Sequence, residues 1–365
     1  WGLLLGTRMI YPVLLPYLRE SFDLSLSVAG LLVTILWLGS AVGQLPGGVL
    51  ADRYSERSVM TAGAVVVATA VLAVAAAPTA LALFVATAFV GLGQSLYPIA
   101  RITILAKIYP ERIGSALGVT MATGDLGQTV LPPIAGAIAV ALVWQAGLAF
   151  MAPLLVVAAV ALWTLLPRPT RTDDAASDDG SPVETARAVL AELGQSNVLF
   201  FAFILFLYIL VWQAFTGLYP TYLVEVKGIP QTTATALFGC FFALGIVSKL
   251  AAGSAYDAYG IRRSLPVALG FGAVGIGMLA LVEGTLAVAA ATVVASGMLG
   301  YATITLTALT GAFPETVQGT GLGLLRTGYM GVGAGAPTVI GVLADADYFT
   351  EAILLLALVA GVAFF

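Results

Sequence analysis

The stretch Gly48-Val49-Leu50-Ala51-Asp52-Arg53-Tyr54-Ser55-Glu56-Arg57 closes one long apolar run and opens the next. At an offset of 205 residues, Gly253-Ser254-Ala255-Tyr256-Asp257-Ala258-Tyr259-Gly260-Ile261-Arg262 does the same. Glycine, aspartate, tyrosine and the last arginine coincide between the two copies. Other pairs keep nearly the same spacing: Pro110-Glu111 with Pro314-Glu315, Leu117-Gly118 with Leu322-Gly323, and Pro132 with Pro337. A chain that repeats its breaks in this way is built from two similar halves that meet at an interface.

Outward from these marks the chain is apolar almost throughout. Hydrophobic residues make up 60% of the 365 positions and charged residues 9%. A soluble domain carries roughly a quarter charged residues, so the solvent implied is a bilayer. Apolar segments lie at about 1–18, 27–50, 59–77, 81–106, 114–140, 144–166, 197–224, 232–254, 264–282, 285–312, 319–343 and 349–365. Most reach the ~20 residues a helix needs to cross hydrocarbon. The expectation is an all-α membrane protein of twelve transmembrane helices, arranged as two six-helix pseudo-repeats. The first residue is Trp1 and the last, Phe365, ends an apolar run, so both ends read as cut and the last helix as truncated.

Residues 1–166 form the expected N-terminal bundle and 197–365 the C-terminal bundle, joined by a cytoplasmic linker at 167–196. The linker begins as a polar strap. Ser181-Pro182-Val183-Glu184 then has the spacing of a helix start, and Val183, Ala186, Val189, Leu190 and Leu193 make an apolar stripe that Gly194 ends. A short amphipathic helix on the membrane surface is expected there. Arg53, Arg57, Lys107, Arg112, Arg168, Arg171, Arg187, Arg262 and Arg263 fall in one set of alternate loops, against Arg19 and Lys227 in the other. Positive charge stays inside, so both termini are expected in the cytoplasm and the protein in the plasma membrane.

Gly48, Leu50, Asp52, Arg53 and Arg57 resemble the signature between helices 2 and 3 of the major facilitator superfamily, with Ser55 and Glu56 departing from it. The resemblance implies secondary transport by alternating access, by a monomer without a cofactor. It also implies a conformational latch made of Gly48, Asp52, Arg53 and Arg57, repeated weakly as Gly253, Asp257 and Arg262. In that family the loop aspartate docks on the start of helix 11, here Gly319-Thr320. A free helix start attracts a carboxylate. Arg53 and Arg57 also serve as topology determinants. A second family pattern, of antiporters, is degraded in segment 5: Gly118, Gly127, Pro132 and Gly136 fit, while Leu131 and Ala135 replace glycines. An ordinary seam of small residues explains the same letters. Thr87 and Ala88 stand where many members carry an arginine.

Five ionisable residues remain well inside the segments: Arg8, Arg101, Asp125, Lys249 and Arg326. Charge at such depth is costly and usually faces a cavity or a partner. Arg8 and Asp125 lie near the midplane, and Arg326 about 10 Å past Gly319 at 1.5 Å per residue. Lys249 and Arg101 are close enough to an end to snorkel. Asp125 either neutralises Arg8 as an ion pair or carries the coupling proton. Three cations, with Lys249 counted, against one acid favour an anionic small-molecule substrate, because arginine's fork matches carboxylate or phosphate. Gln44, Tyr97, Tyr208, Trp212 and Gln213 are candidates to complete the substrate site, though polar and aromatic residues in helices also serve packing.

Histidine is absent and Cys240 is the only cysteine, which argues against a disulfide framework, a metal site and His- or Cys-based enzymology. No phosphate-binding glycine loop followed by Lys-Ser/Thr occurs, so nucleotide-driven pumping finds no support. Net charge is −4 with only three lysines, which fits a high-salt cell or drift in loop composition, and nothing points to nucleic acid. The expectation is a secondary transporter for a small organic anion, with proton coupling as an option. The alternative is a proton-coupled efflux antiporter for lipophilic compounds.

Overall fold

Hydrocarbon offers no hydrogen-bond partners, so each apolar segment must satisfy its backbone within itself, as helix. A computed structural model of the chain describes residues 1–167, 196–312 and 327–362, and among these residues there is no strand. The first six helices are α1 (Gly2–Phe22), α2 (Leu26–Val42 and Gln44–Arg53), α3 (Glu56–Ala75), α4 (Ala80–Ser95 and Pro98–Ile108), α5 (Ile113–Ala141) and α6 (Trp144–Ala149 and Met151–Leu165). The second six are α7 (Ser196–Glu225), α8 (Gln231–Tyr259), α9 (Ile261–Leu281), α10 (Thr285–Ser296, then Tyr301–Ala312), α11 (Thr327–Asp345) and α12 (Phe349–Val362). Among the described residues, twelve helices therefore stand where twelve apolar segments were expected. The linker helix over Ser181–Gly194, the docking point Gly319-Thr320 and Arg326 lie outside the described residues.

Several spans are interrupted near their middles. α2 breaks at Gly43, α4 at Leu96-Tyr97, α10 through the 3-10 turn Gly297–Gly300, and α11 at Ala334-Gly335. Pro98 and Pro337 open the helical pieces that follow two of these breaks, where a missing N–H costs nothing. Irregular backbone at this depth is tolerated where it faces protein or a cavity.

The two signature stretches are less loop-like than the sequence suggests. α2 runs on to Arg53 because Val49-Leu50-Ala51 contains no breaker, which leaves only Tyr54-Ser55 as the turn. Ser55 then caps α3, its Oγ accepting from Ser58 N at 3.1 Å. In the second copy α8 continues to Tyr259, and Gly260 turns the chain at φ 71, a left-handed conformation that suits glycine.

Helices α1–α6 pack on one another, as do α7–α12, and the halves touch through α2 against α11, α5 against α8 and α1 against α7. Contact is tight at the end bearing the short turns 23–25, 226–230 and 346–348. There Gly30 leaves no room for a Cβ against the carbonyl of Pro337, nor Gly341 against that of Leu26. At the other end a Cβ at Gly114, Gly118, Gly328 or Gly331 would meet nothing within 4 Å among the described residues. Among the described residues the halves are thus closed together at one end and less closely packed at the end that carries Arg53 and Arg57.

Candidate functional site

Arg8 is the centre of the interface chemistry. The α1 face bearing Gly2 and Gly6 packs on Gly127 and Leu131 of α5. Arg8 lies two residues past Gly6, about 200° around the helix at 100° per residue, and so points away from α5. Its Nε donates to Gln94 Oε1 of α4 at 2.8 Å, and its Nη2 to Ser40 Oγ of α2 at 2.6 Å. The guanidinium sits 4.4 Å over the ring of Trp37. With 6% of the residue exposed, these contacts replace much of its lost hydration.

The second half approaches the same place. Trp212 of α7 meets Trp37 edge-on at 5.1 Å. Gln44 Nε2 donates to Ser40 O at 3.1 Å and lies 3.9 Å from Met330 Sδ on α11. Gln213 Nε2 donates to Met330 O at 3.4 Å. A polar seam therefore runs from Gln94 through Arg8, Ser40, Gln44 and Met330 to Gln213, beside the breaks in α2, α4 and α11.

Tyr208 and Tyr97 sit apart from the seam. Tyr208 is fully buried, donating to Met298 O at 2.8 Å, with its ring tilted against that of Tyr301 at 3.6 Å. Tyr97 stacks at 5.9 Å on Trp1. Arg101 lies on that same side, with Nη1 donating to Thr120 Oγ1 at 2.8 Å and the guanidinium 4.6 Å over Trp1. The expectation that Arg101 snorkels is therefore corrected: it is buried, with an indole and a hydroxyl as partners. A cavity of about 320 Å³ lined by Trp1, Leu4, Ala64, Tyr97 and Leu162 lies within the first half, away from Arg8.

Asp125, expected either to pair with Arg8 or to carry the coupling proton, is met by another cation. Asp125 pairs with Lys249, joining α5 to α8 across the interface, and Gln128 Nε2 lies 3.5 Å from the same carboxylate. The neighbouring Gly124 and Gly127 take up the α5 face toward α1, which turns Asp125 toward the other half. The same contact corrects two expectations for Lys249: it does not snorkel, and its charge is matched rather than added to a cationic site. The two side chains keep 30% and 19% exposure, so the pair is partly solvated.

Of the latch residues, Gly48, Asp52 and Arg53 lie in the last turns of α2. Arg57 in α3 stacks 4.3 Å over Trp163 of α6. Gly253 and Asp257 lie late in α8 and Arg262 early in α9, with Asp257 and Arg262 exposed. A carboxylate does cap a helix start across the halves, but at the closed end. Asp345, the last residue of α11, accepts from Leu26 N at 2.7 Å and from Ser27 N at 2.9 Å, the first N–H groups of α2. Thr34 and Thr338 bond at 2.7 Å nearby, Gln231 Nε2 donates to Val13 O at 2.6 Å, and Arg19 pairs with Glu225.

Gln94, Ser40, Trp37 and Asp345 were not singled out from sequence. Gln94 had a legible signal, a lone amide deep in an apolar run just before a proline break. Among the described residues no group of three His, Cys, Asp or Glu side chains is placed to hold a metal.

Comparison with known proteins places this geometry in context. A family model described as Major Facilitator Superfamily matches residues 2–337. The hexuronate transporter of Bacillus subtilis (strain 168) is 27% identical over 257 residues, 68% of this chain and 60% of that protein. The matched region thus spans less than two thirds of that relative. An uncharacterized transporter of Escherichia coli (strain K12), YgaY, is 29% identical over 171 residues, 46% of this chain and 42% of its own. Among solved structures, a bacterial homologue of the human lysosomal transporter Spinster, in an inward-facing and occupied conformation, superposes with TM-score 0.84 at 13% identity, covering 100% of this chain and 92% of that one. A D-xylose–proton symporter superposes with TM-score 0.80 at 14% identity, covering 98% and 94%. Identities this low speak for the fold alone.

Proposed function

The chain belongs to the major facilitator superfamily and is a multi-pass membrane transporter of small molecules, and from that premise we propose that its substrate is a small organic anion, moved by alternating access. The observation that carries this is Arg8, a buried guanidinium held by Gln94 and Ser40 and lying over Trp37, whose ring meets Trp212 of the other half. A carboxylate entering from the less closely packed end exchanges for the Ser40 hydroxyl and meets the fork of an arginine, a pairing roughly twice as strong as a neutral hydrogen bond. The relative named for hexuronate, a sugar acid, supports the same charge.

The less closely packed end carries Arg53 and Arg57, so the positive-inside rule makes the described conformation inward-facing, with both termini cytoplasmic in a plasma-membrane monomer. Transport then requires the Asp345 cap and the α2–α11 contacts to open while the other end closes. Coupling to protons falls to Asp125: protonating it removes the attraction that ties α5 to Lys249 of α8.

A thermal-shift panel on purified protein tests the charge preference, since a ligand bound only by the native state raises the apparent melting temperature. Organic anions are expected to stabilise the wild type and to lose that effect in Arg8→Gln. Stabilisation by lipophilic cations, unchanged in Arg8→Gln, would overturn the anion reading in favour of efflux.

A further inference from the structure

Two amides in the polar seam are each only half used. Gln94 is 1% exposed and Gln213 0%. Arginine only donates, so Gln94 must turn its carbonyl to Arg8. Its Nε2 is then buried with no acceptor. Gln213 is fixed by the converse argument: a backbone carbonyl only accepts, so its NH2 faces Met330 O and its Oε1 is buried with no donor. Flipping either amide would set two donors or two acceptors face to face. Natural interiors leave few such atoms unpaired, and each one calls for an explanation.

The two atoms differ in what they demand. The Gln94 donor, beside Arg8, is satisfied by any carboxylate oxygen. The Gln213 acceptor is not, because an ionised carboxylate has no proton to give. It requires a ligand hydroxyl or amine. Gln213 comes from the opposite half to Arg8 and lies beside Gly333 of α11, where a Cβ would stand 3.3 Å from its Oε1. Arg8 lies over Trp37, which meets Trp212 edge-on, and Trp212 adjoins Gln213 in α7. Guanidinium, donor and acceptor thus lie along one polar seam between the halves.

We propose that Gln94 and Gln213 are specificity residues, and that the substrate is a hydroxylated carboxylic acid: its carboxylate held by Arg8 and the Gln94 NH2, and a hydroxyl donating to Gln213 Oε1. This deepens the organic-anion reading and rests on it. A site built to pair a hydroxyl discriminates against analogues without it far more strongly than an apolar pocket rejects an added group. Each half then holds one end of the ligand, so the substrate itself links the two bundles.

Binding of three probes to purified protein tests the assignment: glucuronate, cyclohexanecarboxylate (ring and charge without hydroxyls) and glucose (hydroxyls without charge). The wild type is expected to prefer glucuronate to either of the others by at least about 100-fold. Gln213→Leu should weaken glucuronate about 10- to 100-fold, leave cyclohexanecarboxylate within about twofold, and leave the ligand-free melting temperature unchanged or raised, since an unpaired acceptor is gone. Gln94→Leu should weaken both acids in parallel. Equal affinity of the wild type for the two acids overturns the proposal while the anion reading stands. So does a Gln213→Leu variant that loses both acids together with its ligand-free stability. Glucose binding as tightly as glucuronate, or neither acid binding, overturns the anion reading and this proposal with it.

Discussion

Removing the Asp345 carboxylate should unlatch the closed end of the protein. Asp345 holds two N–H groups at the start of α2, at 2.7 and 2.9 Å, from the last turn of α11. A charged cap at a helix start contributes about 0.5–2 kcal/mol, and the dipole adds ~0.3–1 kcal/mol where the site is exposed to solvent. Asp345 is exposed, so screening cuts the charge contribution and the low end of the dipole range applies. Asparagine keeps one acceptor but turns its NH2 on the second N–H, a loss of about 1 kcal/mol from one cap and the charge. Alanine loses both bonds, about 1–2 kcal/mol.

The contact joins the halves and breaks when that end opens, so the loss falls on the closed form alone. At tenfold per 1.4 kcal/mol, Asp345→Asn shifts the open-to-closed ratio of that end about fivefold. The assay is the distance between spin labels at Leu81 and Leu286, exposed residues at the starts of α4 and α10, one on each half, in a Cys240→Ser background. The longer-distance population should grow in Asp345→Asn and grow further in Asp345→Ala. Distance distributions identical to the parent in both variants would refute the latch.

Breaking the Asp125–Lys249 pair by Asp125→Asn should cost about 1 kcal/mol, because the pair is partly solvated. Combining it with Lys249→Met should recover stability in a thermal melt. If Asp125 carries the coupling proton, Asp125→Asn keeps substrate exchange in counterflow and loses uptake driven by a pH gradient, which vesicle assays separate. Asp52→Asn is expected to slow transport with substrate affinity unchanged, since Asp52 lies at the end of α2 remote from Arg8; titration alongside uptake rates checks this. Gly30→Val should prevent the closed end from sealing, because even a Cβ meets the Pro337 carbonyl, and the same label pair should report a mainly open population. Protease should cut 167–180 in inside-out vesicles and spare it in right-side-out ones, while cutting only from the outside would invert the topology.

The spans were legible because partition into hydrocarbon is a local property of about twenty residues in a row. The duplication was legible because its marks are glycines, prolines and charges at turns. The end of α2 was misplaced by a few residues, since Ser55 caps α3 in a way that shows only as a dihedral and a bond. Arg8 stood out by depth, but its partners did not, because depth along a helix says nothing of rotation about it. Gln94 and Ser40 lie 86 and 32 residues away in the chain.

By itself, then, the sequence determined the solvent, the number of crossings, the two-half plan and the presence of a costly cation near the midplane. The tertiary structure decided which side chains surround that cation and that Asp125 pairs with Lys249. It also decided which end is shut. Helix rotation is set by where small residues let backbones meet, as Gly2, Gly6 and Gly127 do between α1 and α5. The choice of closed end is a balance between two packings of one chain, differing by interface contacts such as the Asp345 cap, and no single stretch of sequence contains that difference.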